Sequence, residues 1–274
     1  MNTFQKYFHR WERKITLSKR QQFVAITVLL TMGLVVTQIV PGELRYPLVV
    51  TFSIATYFLC AFGLREDLHG AEWLTLLTLP TLYTTAVLLF YFLLPVRWLT
   101  RLQVAALYAV GMYALILTEN IYNVAAERSI ALLRAAHSVG FLLTLMTYFL
   151  LVSTILSFRL SVGANALAVG MVSFVLVVQS LWSVGLEPRV SRRVWAISGC
   201  IAIVLGELAW ILAFWPVQQA LVVLFLTTCT YCTVGMAQQY LEDKLYKKTA
   251  IEFGSVAAIV FIIVLIATKW RGFV

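Results

Sequence analysis

An all-α fold, a polytopic integral membrane bundle of about nine transmembrane helices, follows from three observations on this sequence. Apolar residues make up 61% of the chain and mean hydropathy is +0.89, where soluble domains use roughly 45–50% apolar residues. Those residues are gathered into long runs bounded by charge or proline. The 21 Lys and Arg residues crowd onto alternate connections between the runs.

A helix rises about 1.5 Å per residue, so about 20 residues cross a hydrocarbon core about 30 Å thick. The first such run, residues 23–40, follows Arg20 and stops at Pro41; the second, 47–64, opens on Pro47, which a helix tolerates in its first turn. The third, 73–94, contains Pro80, which removes one backbone bond and predicts a kink, and it stops before Pro95. The fourth, 102–121, begins after Arg101 and fades into the polar Thr118-Glu119-Asn120. The fifth, 136–158, ends at Arg159, and the sixth, 165–186, ends just before Pro188. The seventh, 195–215, lies between Arg193 and Pro216; the eighth, 219–239, is bracketed by glutamines; the ninth, 253–269, follows the lysines at 247 and 248. Strands are excluded because residues 141–151 are apolar on every face, whereas a membrane strand alternates.

Fifteen of the 21 basic residues fall on one alternate set of segments, and only Arg45, Arg97, Arg101, Arg159, Lys269 and Arg271 on the other. Positive charge is retained on the cytoplasmic side, so the N-terminus is expected in the cytoplasm and, with an odd number of spans, the C-terminus outside. The net charge of +9 is thereby a topology signal, with anionic lipid headgroups at the cytoplasmic face as the expected partner and no nucleic acid. A membrane-protein partner or a second copy of the chain is the other partner class left open. The expected address is a cell membrane, since the chain looks generically like polytopic proteins of bacterial inner membranes.

Two parts are expected: residues 1–22 as a basic cytoplasmic arm, and 23–274 as one transmembrane domain without a linker rich in Pro, Gly or Ser. In the arm, Phe4, Phe8, Trp11 and Ile15 recur at helical spacing, with Lys6, Arg10, Arg13 and Lys14 largely elsewhere around the helix. An interfacial helix and a disordered basic tail both fit. A cleavable signal peptide is not expected, because the first apolar run ends without a small-x-small site.

The main departure from apolar monotony runs from Thr118 to His137, with no Gly or Pro from Met112 through Val139, and it reads as one continuous helix. At about 100° per residue, Asn120, Asn123, Glu127 and Arg134 share a stripe, with Glu119 and His137 at one edge. Either this helix lies along the membrane surface, or it stays embedded and turns the stripe toward a water-filled cavity. In the second case Glu127 and Arg134 flank a polar site and His137 is its member that titrates near neutrality.

Glu207 falls near the middle of the seventh run, where desolvation disfavours the carboxylate, so it is expected neutral or paired with a cation from another helix. It either carries a proton or cation, or bonds a neighbouring helix. Gln38 and Gln179 read as interhelical bonding groups. Cys229 and Cys232 form a C-x-x-C, but at mid-membrane depth, without flanking bases or further ligands, they read as small packing residues.

The only aspartates, Asp67 and Asp243, lie in loops, so an intramembrane aspartyl dyad and Asp-rich metal clusters are missing. H-E-x-x-H, a P-loop and a Gly-rich nucleotide fingerprint are missing too. No catalytic residue, metal ligand or cofactor is therefore expected. The candidate residues for a ligand or ion pathway are Glu207, Glu127, Arg134, His137, Asn120 and Asn123. The expected function is transport or small-ligand and ion binding through buried polar residues. The alternatives are a non-enzymatic sensor, scaffold or assembly partner and, further off, an intramembrane enzyme. A cavity joining Glu207 to Glu127, Arg134 or His137 is the expected mark of transport; a dry bundle is the mark of a scaffold.

Overall fold

The computed structural model describes residues 18–37, 44–64, 72–94, 97–127, 132–187 and 189–268. Among them the chain forms nine helices and no strand: α1 Lys19–Thr37, α2 Arg45–Leu64, α3 Glu72–Tyr91, α4 Trp98–Glu127, α5 Leu133–Ser157, α6 Val162–Gly185, α7 Arg192–Leu212, α8 Gln219–Leu241 and α9 Lys247–Ala267. All nine are long and apolar enough to cross a membrane. The expected all-α polytopic bundle is what the chain forms.

Several ends are set by local chemistry. Ser18 and Gln21 cap α1 reciprocally, the Ser18 amide donating to Gln21 Oε1 at 3.0 Å and the Gln21 amide to Ser18 Oγ at 3.4 Å. Ser161 and Ser191 accept from the amides of Ala164 and Val194 at the starts of α6 and α7. Pro80 sits inside α3 without ending it. Residues 19–22, assigned by sequence to the arm, form the first turn of α1, because the cap lies at Ser18; residues 1–17 lie outside the described residues.

Successive helices alternate in direction. At one end Asn123 of α4 reaches the carbonyl of Leu64, the last residue of α2, and Arg193 at the start of α7 sits 5.8 Å over the Tyr240 ring near the end of α8. At the other end Arg45 covers the Phe92 ring at 5.3 Å, and Gln219 donates to Ser157 Oγ at 2.7 Å. The first of these ends is called the basic end below.

Lipid tails are as apolar as leucine, so helices associate through close packing and hydrogen bonds more than through hydrophobic drive. The pair α6–α7 has the most extensive contact in the bundle. Gly206 makes it possible: a Cβ there would stand 3.2 Å from the Ala166 carbonyl oxygen, against a backbone that cannot swing away. Hydroxyls within the spans bond back to the preceding turn, as Thr27 to Phe23 at 2.8 Å and Thr84 to Pro80 at 3.0 Å, which leaves few of them bare in the apolar interior. Thr84 also meets the Tyr108 hydroxyl at 2.9 Å, joining α3 to α4. The last helix, α9, packs on α8 and buries only Val264.

Candidate functional site

The segment read as one helix is two. α4 stops at Glu127 and α5 starts at Leu133, and the Tyr122 hydroxyl donates to the Ala136 carbonyl at 3.0 Å. A continuous helix would hold residues 14 positions apart about 21 Å from each other. Helix propensity differs by only a few tenths of a kcal/mol among these residues, and packing α4 against α5 outweighs it. The two halves of the stripe therefore lie on two packed helices instead of lining one.

This pairing turns part of the stripe inward. Glu119 is 0% exposed, Asn123 1% and Tyr122 2%. Gln179 of α6 donates through Nε2 to Glu119 Oε1 at 3.4 Å, and Asn123 donates through Nδ2 to the Leu64 carbonyl at 3.3 Å. Three oxygens here have no partner: Glu119 Oε2, Asn123 Oδ1 and Gln179 Oε1. Asn120 is half-buried beside them. Gly140 of α5 leaves room for Tyr122, since a Cβ there would lie 2.5 Å from the phenolic oxygen.

On the α5 side, Arg134 is exposed and His137 half-buried. His137 Nε2 lies 2.7 Å from the Ser183 carbonyl; a carbonyl only accepts, so Nε2 carries the hydrogen. Its ring also lies 5.4 Å from that of Tyr122. Ser183 Oγ donates to the Ser180 carbonyl at 2.9 Å, and Gln238 of α8 donates to Ser180 Oγ at 3.0 Å. Ser180 adjoins Gln179, so polar groups follow one another from His137 and Gln238 to Glu119.

The outer members of this chain open onto a cleft of about 990 Å³, lined by Arg134, His137, Gln238, Gln239, Glu242 and Lys244, with Phe141, Tyr231 and Phe253 forming apolar walls. Its lining is mostly apolar, with Arg134, His137 and the glutamines as polar groups and with Glu242 and Lys244 paired to each other at 2.8 Å. Among the described residues no group of three or more His, Cys, Asp or Glu could hold a metal ion. Cys232 is occupied in donating to the Phe253 carbonyl at 3.1 Å.

Of the residues expected from sequence, Asn123 lies in the buried centre with half-buried Asn120 three positions before it, while Arg134 and His137 line the cleft. The side chain of Glu127 lies outside the described residues. Glu207 does not join them: it is exposed on the outer face of α7, five residues before the helix ends at Leu212. The cleft holds Arg134 and His137 but not Glu207, so the cavity expected as the mark of transport, one that joins Glu207 to these residues, is not found among the described residues.

Glu119 is the residue that sequence reasoning left out of the site. With the fourth span drawn to residue 121, it fell near the membrane boundary at the edge of the polar stripe and was not carried into the candidate residues. α4 extends to Glu127, about 9 Å farther, and carries Glu119 well inside the bundle. Gln179, read as packing glue, is its bonding partner. An acidic residue one turn before an Asn, in a run lacking Gly and Pro, was the available signal.

A family described as "Protein of unknown function (DUF5656)" has a sequence model that matches residues 123–267, more than half of the chain, and the protein belongs to this family. The match opens at Asn123 and covers α5 to α9, so it includes His137, Gln179 and Gln238 and begins just after Glu119. No curated protein and no solved structure matches the chain.

Proposed function

We propose that this DUF5656 protein is a membrane carrier that moves one positive charge, as a proton or small cation, alone or coupled to a small polar solute, between the cleft at its basic end and the buried carboxyl of Glu119. The observation that carries this reading is Glu119 itself, fully buried with one oxygen unpartnered. A carboxylate at such a position costs about 2.5–3.5 kcal/mol on insertion scales, and groups of this kind line pathways in membrane proteins. Polar groups of His137, Ser183, Ser180 and Gln238 lie between the cleft and Gln179, bonded partly through backbone carbonyls and with Ser180 next to Gln179 in sequence, and they supply polar steps toward it. By the positive-inside rule the cleft opens to the cytoplasm, where Arg192 and Arg193 of the same end would meet anionic headgroups.

The test is charge movement in reconstituted vesicles adsorbed on a solid-supported membrane, after a rapid pH or sodium jump. Wild type is expected to give a transient current that Glu119→Gln abolishes and Glu207→Gln retains. Currents equal in wild type and Glu119→Gln, or absent under both jumps, would remove the carrier reading.

A further inference from the structure

We infer that the buried centre between α4 and α6 is a binding site for a small monovalent metal cation of the sodium class, held by Glu119, Asn123 and Gln179. This rests on the carrier reading for its role, and it names the charge that the carrier takes.

The donor set points to this ligand. Three buried side chains, each more than nine-tenths buried, present one unpartnered oxygen apiece: a carboxyl, a carboxamide one helical turn away, and a second carboxamide already bonded to that carboxyl. Their nitrogens are engaged, Gln179 Nε2 with Glu119 and Asn123 Nδ2 with Leu64, and those bonds fix which end of each amide carries the free oxygen. Unmet buried acceptors are costly, and a cation reached by all three would relieve them together where single donors would relieve them one by one.

Charge and hardness narrow the class. All three donors are hard oxygens, which disfavour soft transition metals. The set holds a single formal negative charge, and among the described residues no cationic side chain bonds Glu119. A monovalent ion would leave the centre neutral; a divalent ion would leave one positive charge uncompensated in a low dielectric, and calcium sites recruit more carboxylates.

The experiment is equilibrium binding of radiolabelled sodium to the purified full-length protein in detergent, with an organic cation as the background electrolyte and pH held constant. Saturable binding near one ion per chain is expected, displaced by excess unlabelled sodium. Glu119→Gln should abolish it, and Gln179→Met should weaken it by roughly 10–100-fold, the range for losing a group beside a bound metal. Gln179→Met keeps the carboxyl and the length of the side chain, so it decides the matter if Glu119→Gln does not fold. Folded wild type without saturable sodium binding, binding unaffected by either variant, or displacement by calcium in preference to sodium would overturn the inference. Glu119-dependent currents on pH jumps with no sodium binding would leave the carrier standing and sink the cation site. Sodium binding without currents would do the reverse.

Discussion

The junction of α4 and α5 offers a sharp test of how the site is built. The Tyr122 hydroxyl spends its hydrogen on the Ala136 carbonyl at 3.0 Å and occupies the space that a Cβ on Gly140 would need, 2.5 Å away. Tyr122→Phe removes one buried hydrogen bond, worth about 1 kcal/mol; the cost stays near that figure because the Ala136 carbonyl lies within α5 and can keep its helical partner. Gly140→Ala gains about 1 kcal/mol of helix propensity but drives a methyl into the phenolic oxygen, an overpacking cost of about 1–3 kcal/mol. Separately, then, the changes should destabilise by about 1 kcal/mol and about 0–2 kcal/mol. Together they should not add: with the oxygen gone the new methyl faces a ring edge at 3.4 Å and the Thr118 methyl at 3.3 Å, contacts that a few tenths of an ångström relieve. The double variant should be no less stable than Tyr122→Phe alone, a favourable coupling of about 1–2 kcal/mol. Denaturant unfolding in mixed micelles, followed by tryptophan fluorescence, measures all four corners of the cycle. Additivity within about 0.5 kcal/mol would show that Tyr122 and Gly140 do not share this space, and the description of the hairpin would be wrong.

On α7, Gly206→Val should destabilise by more than about 2 kcal/mol, because the contact at 3.2 Å is with backbone; Gly199→Ala, where a Cβ meets nothing within 4 Å, should stabilise by about 0.5–1 kcal/mol. The same unfolding assay separates them, and equal effects would refute the close approach of α6 and α7. A topology reporter fused to the C-terminus should be active on the outer side of the membrane; activity only in the cytoplasm would contradict the orientation expected from the Lys and Arg distribution.

The sequence by itself determined that this is a helical membrane protein and where its spans lie, because the free energy of placing a helix in lipid is nearly a sum over the residues of that helix. The Ser18 and Gln21 cap needs only four consecutive residues, yet the hydropathy pattern that placed the first span at 23–40 passed over it and left 19–22 in the arm. Where a helix yields to a turn was not legible between Glu127 and Leu133, since neither Gly nor Pro marks the place and the competing term is the contact between α4 and α5. The periodicity at 100° per residue did group Asn120 with Asn123, but periodicity is silent about which way the group faces. Only the tertiary structure decided that Glu119 and Asn123 turn to the interior while Glu207 turns outward. The rotation of each helix about its own axis is fixed by its neighbours, through fits such as Tyr122 over Gly140 and Gly206 against Ala166, and no segment read alone contains that information.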